Sequence, residues 1–247
     1  MTENDIGRFV GVDVVDLHHP RCADKGTDER FTSRILNDVE QGALAVASDP
    51  NATLWRLWAA KEAAYKVVSK VRGKPPAFMH AAFRVDPPGT FSKDDFGRVR
   101  WEDISMVIHW HQVPGRIVAL AWNGLIVDEA VEWSWGAVDE LDPEPGAPIE
   151  AILARLTERE RGPVHSRSSA LVRLAARSAL ASGLGVEERR LEVVCGEGPK
   201  GRMPPEALLD GQAAPADVSL SHHGKWLAWA IRLVEPRGPA RSRPAGT

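Results

Sequence analysis

The chain has 247 residues, room at roughly 100–200 per domain for one large or two small cores. With 43% apolar and 26% charged residues, and no apolar run near the roughly 18 that a membrane-spanning helix needs, the composition excludes both a disordered tail protein and a helical membrane protein. Thirty-one basic against 34 acidic side chains leave a net charge of −3, so nothing draws the whole molecule onto nucleic acid and any anion site must be local. The opening MTENDIGRFV has no basic stretch followed by an apolar one, and Cys22 and Cys195 are too few for a disulfide framework. A cytoplasmic protein with reduced thiols is expected.

In chain order, the pattern predicts a strand over Phe9 to Val15, a helix around Ser33 to Val46, and a longer helix from about Thr53 to Val71. In the long helix Leu57, Ala60, Ala64, Val67 and Val71 recur at three- and four-residue steps, one stripe to bury against a sheet. Strands close this half, ending with Ile117 to Trp122 before an Asn123-Gly124 turn signal. The plan then repeats: a strand at Leu125 to Trp135, the loop Leu141 to Pro148, helices near Ile149 to Glu160 and Ser166 to Leu184, and strands at Leu191 to Cys195, Val218 to Ser221 and Trp226 to Leu233. The expected fold is α+β: two tandem pseudo-symmetric lobes, 1–124 and 125–235, each with helices packed on a small antiparallel sheet. The tail 236–247, with neither apolar periodicity nor bulk, is expected to be disordered.

Several polar residues stand out against this frame. In Gly11-Val12-Asp13-Val14-Val15-Asp16 a carboxylate interrupts an apolar strand, on the face of Val15, and a buried lone carboxylate needs a cation, a donor network or a metal. In Trp58-Ala59-Ala60-Lys61-Glu62-Ala63-Ala64-Tyr65-Lys66, Glu62 and Lys66 share a helix face one turn apart, which by itself also describes an ordinary surface ion pair. Brought together, Asp13 and Glu62 make a hard oxygen site suited to Mg2+, with phosphate oxygens as further ligands. Farther on, Ser221-His222-His223-Gly224 is either a structural turn or an anion-friendly one. Before it lie a glycine-rich stretch with Lys200 and Arg202, and a helix carrying Arg167, Arg173 and Arg177. No GxxxxGK[ST] loop and no GxSxG elbow is present.

Taken as a set, Gly11-Val12-Asp13, Arg30-Phe31-Thr32-Ser33-Arg34-Ile35-Leu36 with Glu40, and WAAKEAAYK at 58–66 resemble the signature of the 4'-phosphopantetheinyl transferases, in particular the holo-acyl-carrier-protein synthase branch. Arg167 to Gly185, the loop around Arg202, and Ser219 to Ala230 resemble the coenzyme A lobe of the larger two-lobed members, with lobe order reversed. The literal Gly73-Lys74-Pro75 follows the KExxxK helix and is read as a decoy for that lobe's GKP loop. The resemblance implies an enzyme that moves the phosphopantetheine arm of coenzyme A onto a serine of an apo acyl or peptidyl carrier protein and releases 3',5'-ADP, as in fatty-acid, polyketide or nonribosomal-peptide synthesis. It implies Mg2+ on Asp13 and Glu62, with Asp16 at most behind them. Glu62, Lys66 and Lys61 take the catalytic roles. Ser221, His222 and Arg202 or Lys200 hold the diphosphate, and Arg167 with Arg173 or Arg177 holds the 3'-phosphate. The site falls in the cleft between the lobes, so a monomer can complete it. The competing reading is a non-catalytic descendant that binds carrier protein or coenzyme A.

Overall fold

A computed structural model describes residues 9–77, 79–86, 94–123, 131–198 and 201–234. Its elements in chain order are β1 (Val10–Asp16), α1 (Glu29–Ile35), α2 (Asp38–Ala45), α3 (Pro50–Val71), β2 (Arg84–Asp86), β3 (Asp94–Trp101), β4 (Ile104–Val113) and β5 (Arg116–Asn123). There follow β6 (Val131–Ala137), α4 (Val138–Leu141), α5 (Ile149–Leu153), α6 (Glu158–Arg161), α7 (Arg167–Leu184), β7 (Leu191–Gly198), β8 (Gly201–Leu209), β9 (Gln212–Ala213), β10 (Ala216–His223) and β11 (Trp226–Leu233). The fold is α+β, with antiparallel sheets ordered β1-β5-β4-β3-β2, β10-β11-β6 and β7-β8-β9.

The apolar stripe of α3 forms the centre of the first core: Leu57, Ala60, Ala64 and Val67 are buried with Ile108, Trp110, Ile117 and Ala119 from the sheet. Asp49 caps the helix through the Ala52 N–H and Pro50 occupies its first turn, so the helix starts three residues earlier than the pattern predicts. A second core gathers α7 against Leu191, Val193, Val218, Leu227 and Ile231. Between them, Val10, Val12, Val14, Leu120 and Trp122 on the back of the first sheet meet Trp226, Ala228 and Ala230 of β11, with Trp133 and Trp135 of β6 beside them. Strand β1 is therefore buried on both faces, which is why it reads as an almost unbroken apolar run.

Gly11 is set by the close approach of helix to strand. A Cβ there would lie 2.1 Å from the Ala63 carbonyl oxygen, so any side chain pushes α3 off β1. Gly11→Ala is expected to cost roughly 1–3 kcal/mol, seen as a lower thermal midpoint, and to lower activity because α3 and β1 carry the site residues.

Three predicted elements need correction. The helix expected over 33–46 is two helices, because Asn37 and Glu40 form a capping box that starts a new one at Asp38. The helix expected over 149–160 is likewise two, the second capped by Thr157 with Glu160. The stretch taken for a flexible loop after Cys195 is a hairpin, β7 and β8, bulged between Cys195 and Glu197. The predicted strand start at 125, Lys200, and the tail from 235 lie outside the described residues, as does the side chain of Arg202.

One buried network is built twice. Glu40 accepts from Asn37 N, Val85 N (2.8 Å) and the Lys61 ammonium (2.6 Å), and Lys61 also donates to Ile35 O. Glu160 accepts from Thr157 N, Val193 N (2.9 Å) and Arg177 (2.7 Å), and Arg177 also donates to Arg155 O. In each, the carboxylate ties a capping box, a long helix and a strand N–H together, and the carbonyl lies two residues before the cap. Both carboxylates are fully buried.

Candidate active site

Strand alternation turns Asp13 toward α3, where one helical turn spaces Glu62 from Lys66. Asp13 Oδ1 accepts from Lys66 Nζ at 3.0 Å and from Ser221 Oγ at 2.8 Å, and Lys66 also donates to Val12 O at 2.5 Å. The helical pair is thus not a Glu62–Lys66 surface bridge; Lys66 crosses to the strand. Burial pushes the Asp13 carboxyl above its ordinary range, the Lys66 ammonium pulls it down, and the neighbouring Glu62 carboxylate pushes it up again. Two carboxylates far apart in sequence therefore lie near enough to act on one another. Glu62 Oε1 lies 3.6 Å from His80 Nε2, whose ring rests against Trp58 at 4.3 Å.

The far wall comes from β10 and α7. His222 reaches the surface beside the site, and its imidazole is held below its usual pKa by desolvation and then by the Lys66 and Arg173 cations. Arg173 is buried; it donates to Ser169 O (2.9 Å) and Oγ (2.7 Å) and to Cys195 Sγ (3.3 Å). Among the described residues no carboxylate neutralises Arg173, and its Nε has no partner. Lys66 and Arg173 thus both bear on His222, Lys66 paired with Asp13 and Arg173 with no carboxylate partner among the described residues.

The structure separates other expected residues from this pocket. Lys61 is fully buried, its three bonds spent on Glu40, Ile35 O and His80 O, contacts that hold the fold together. Arg177 is spent on Glu160 and Glu188. Arg167 clamps the 142–147 loop, bonding Asp142 Oδ2 at 2.5 Å and the carbonyls of Glu144 and Ala147 at 2.6 Å each. Asp16 lies on the opposite face of β1 from Asp13. Its Oδ2 accepts from Lys225 N at the β10–β11 turn, where Gly224, at φ +56, leaves no room for a Cβ (2.2 Å from that oxygen). Residues the sequence reading passed over are Lys70 and Asp217, a buried ion pair at 2.8 Å one turn beyond Lys66, and Cys195, now in contact with Arg173.

A divalent cation fits the chemistry of the donor set. Asp13 and Glu62 offer hard oxygens, and Asp13 Oδ2 meets no donor among the described residues. No third His, Cys, Asp or Glu among the described residues completes a protein-only cluster, so remaining ligands would come from water and substrate, the usual habit of Mg2+.

The rim of the site also titrates. His223 Nδ1 accepts from Asp16 N at 3.0 Å, which fixes the proton on Nε2, and its ring lies 4.7 Å from His19. Desolvation, then His19, lowers its pKa, with Asp16 opposing and Arg21 adding to the fall. A depressed imidazole pKa means the unfolded chain binds the proton first, so this stability is complete above about pH 6.5 and drains as pH falls below it. Chemical denaturation at stepped pH is expected to show that slope, and His223→Asn, whose amide oxygen can take the same N–H without titrating, is expected to flatten it.

Residues 9–121, which carry Asp13, Glu62 and Lys66, match the family model of the 4'-phosphopantetheinyl transferase superfamily. No curated protein matches the chain in sequence. Among the described residues no helix is long and apolar enough to cross a membrane.

Proposed function

We propose that the protein transfers the 4'-phosphopantetheine arm of coenzyme A to a serine hydroxyl of an apo acyl or peptidyl carrier protein and releases 3',5'-ADP. The observation that carries this reading is that Asp13 and Glu62, far apart in sequence, lie near enough to act on one another, close to Arg173, a buried cation with no carboxylate partner among the described residues. Arg173, buried without a carboxylate partner among the described residues, is prepared for an anionic substrate, and the match of residues 9–121 to the superfamily model suggests the kind of anion.

In this mechanism Asp13 and Glu62 would hold Mg2+, which when bound neutralises diphosphate charge and polarises the phosphorus. Ser221 and His222 bind the diphosphate and Arg173 the 3'-phosphate. Arg202 and Lys200 remain the proposed additional diphosphate contacts. Glu62 takes the proton from the attacking serine, whose oxygen forms the new P–O bond as the bond to 3',5'-ADP breaks. Lys66 stays with Asp13 and offers positive charge to the departing phosphate. The recurring Glu40 and Glu160 networks support two tandem lobes, and because both walls come from one chain, a monomer suffices. We place the reaction in the cytoplasm.

Incubation with coenzyme A, Mg2+ and an apo carrier protein, followed by the intact mass of the carrier, tests the reading. The expected result is the mass of one phosphopantetheine arm. An unmodified carrier that nevertheless binds the protein would overturn it in favour of a non-catalytic binder.

A further inference from the structure

Strand β1 is an edge strand, hydrogen-bonded to β5 on one side only, yet it is buried along its whole length. Its outward N–H and C=O groups therefore need partners that no neighbouring strand supplies. Side chains supply them. Val10 N donates to Asp217 Oδ2 (2.7 Å), Val12 N to Ser219 Oγ (3.0 Å), Val14 N to Ser221 Oγ (3.2 Å) and Asp16 N to His223 Nδ1 (3.0 Å), each acceptor 207 residues beyond its donor. Two of the outward carbonyls go to α3, Val12 O to Lys66 and Val10 O to Lys70 at 2.7 Å, and Asp16 O accepts from His19 N.

We propose that Asp217, Ser219 and Lys70 are positioning residues, a side-chain ladder along the open edge of β1 that sets the register at which Asp13 meets Ser221 and His222. A slip of one residue would set Val218, Leu220 and His222 against the N–H row, and neither valine nor leucine can accept. A slip of two is blocked at the ladder's end, where the Lys70 ammonium spends its bonds on Val10 O, Asp217 Oδ2 and Val218 O, fixing one residue of β1 to two of β10. Ser221 belongs to both systems, accepting from Val14 N and donating to Asp13 Oδ1, so the register of the ladder is passed directly to the carboxylate. Ser219 is the informative rung. It touches Val12 N and no atom of the pocket, but Val12 O is the acceptor that anchors Lys66.

This inference rests on the proposed transfer reaction, and two readouts keep the two apart: kinetics of arm transfer, and amide hydrogen exchange at Val12 and Val14. Ser219→Ala is expected to lower kcat about tenfold with KM for coenzyme A within about twofold, and to speed exchange at both amides, while Ser219→Thr, which keeps the hydroxyl, restores both. A folded Ser219→Ala enzyme with wild-type kcat, or with unchanged exchange, overturns the proposal. Should Ser219→Ala fail to fold, Asp217→Asn carries the same test, because it keeps the oxygen Val10 N needs and removes the charge that holds Lys70: lower kcat and faster exchange at Val10 support the ladder, and wild-type values for both overturn it. If wild-type protein transfers no arm, the reaction falls while the exchange pattern still decides the ladder.

Discussion

Asp13→Asn and Glu62→Gln are each expected to reduce arm transfer on the order of a thousandfold or more while leaving the protein folded. Either amide keeps a hydrogen-bonding oxygen in place, so Lys66 and Ser221 retain their acceptor at position 13. What is lost is negative charge, the property a divalent cation and a proton acceptor both require. The stability of Asp13→Asn sharpens the test. Burial, with Glu62 adding repulsion, raises the Asp13 carboxyl, so the folded state holds its proton more tightly than the unfolded chain. Stability from this group therefore falls as pH rises from its ordinary value of 3.8 through the raised one, and the ionised form is a cost at neutral pH. Asp13→Asn removes that cost and is expected to melt at or above the wild-type temperature. A variant inactive because it is misfolded would melt lower; one active at the wild-type rate would show that Asp13 holds no metal. Intact-mass transfer assays and thermal melts on the same samples separate these outcomes.

The sequence made the pocket's near wall legible because its information is local. Glu62 and Lys66 lie one turn apart on a helix whose stripe faces the core, and Gly11 and Asp13 alternate on a strand with almost nothing polar beside them. It did not foretell the partners of Lys61, Arg167 and Arg177, because a cation's partner is decided by tertiary packing: Glu40 comes from 21 residues away, Asp142 from 25 and Glu160 from 17. Of the three arginines of α7 named above, Arg173 alone has no carboxylate partner among the described residues, and no spacing rule distinguishes it from Arg177 one turn on. The split of the first predicted helix was in principle readable, since Asn37 and Glu40 stand at capping-box spacing. Strand β8 was hidden by Pro204 and Pro205, residues that argue against a strand; they are tolerated because β9 pairs only with Leu208 and Leu209, leaving the edge beside the prolines with no ladder to complete. The β1–β10 ladder was beyond reach altogether, because alternate polar residues on β10 look like the solvent face of an ordinary strand.

Glu40→Ala is expected to be among the most destabilising single changes in the chain. It strands the Lys61 ammonium with only carbonyls for company and leaves Asn37 N and Val85 N without acceptors, in a place with no access to water. Breaking one side of a buried ion pair typically costs about 3–5 kcal/mol, against a total stability of about 5–15, so a large unfolded fraction is expected at ordinary temperature. Lys61→Met alone is expected to be similarly severe, because it leaves Glu40 charged and unpaired. The double variant Glu40→Gln with Lys61→Met removes both charges together. The amide oxygen can still meet a backbone N–H, and the methionine fills the volume of the lysine stem, so most of the lost stability is expected to return. Denaturant unfolding of wild type, Glu40→Gln, Lys61→Met and the double variant gives the coupling directly. Transfer activity of the double variant then separates the structural role of Lys61 from a catalytic one. With the fold restored, activity within about tenfold of wild type is expected if the ammonium only holds the fold together. A stable double variant that transfers nothing would return Lys61 to the reaction.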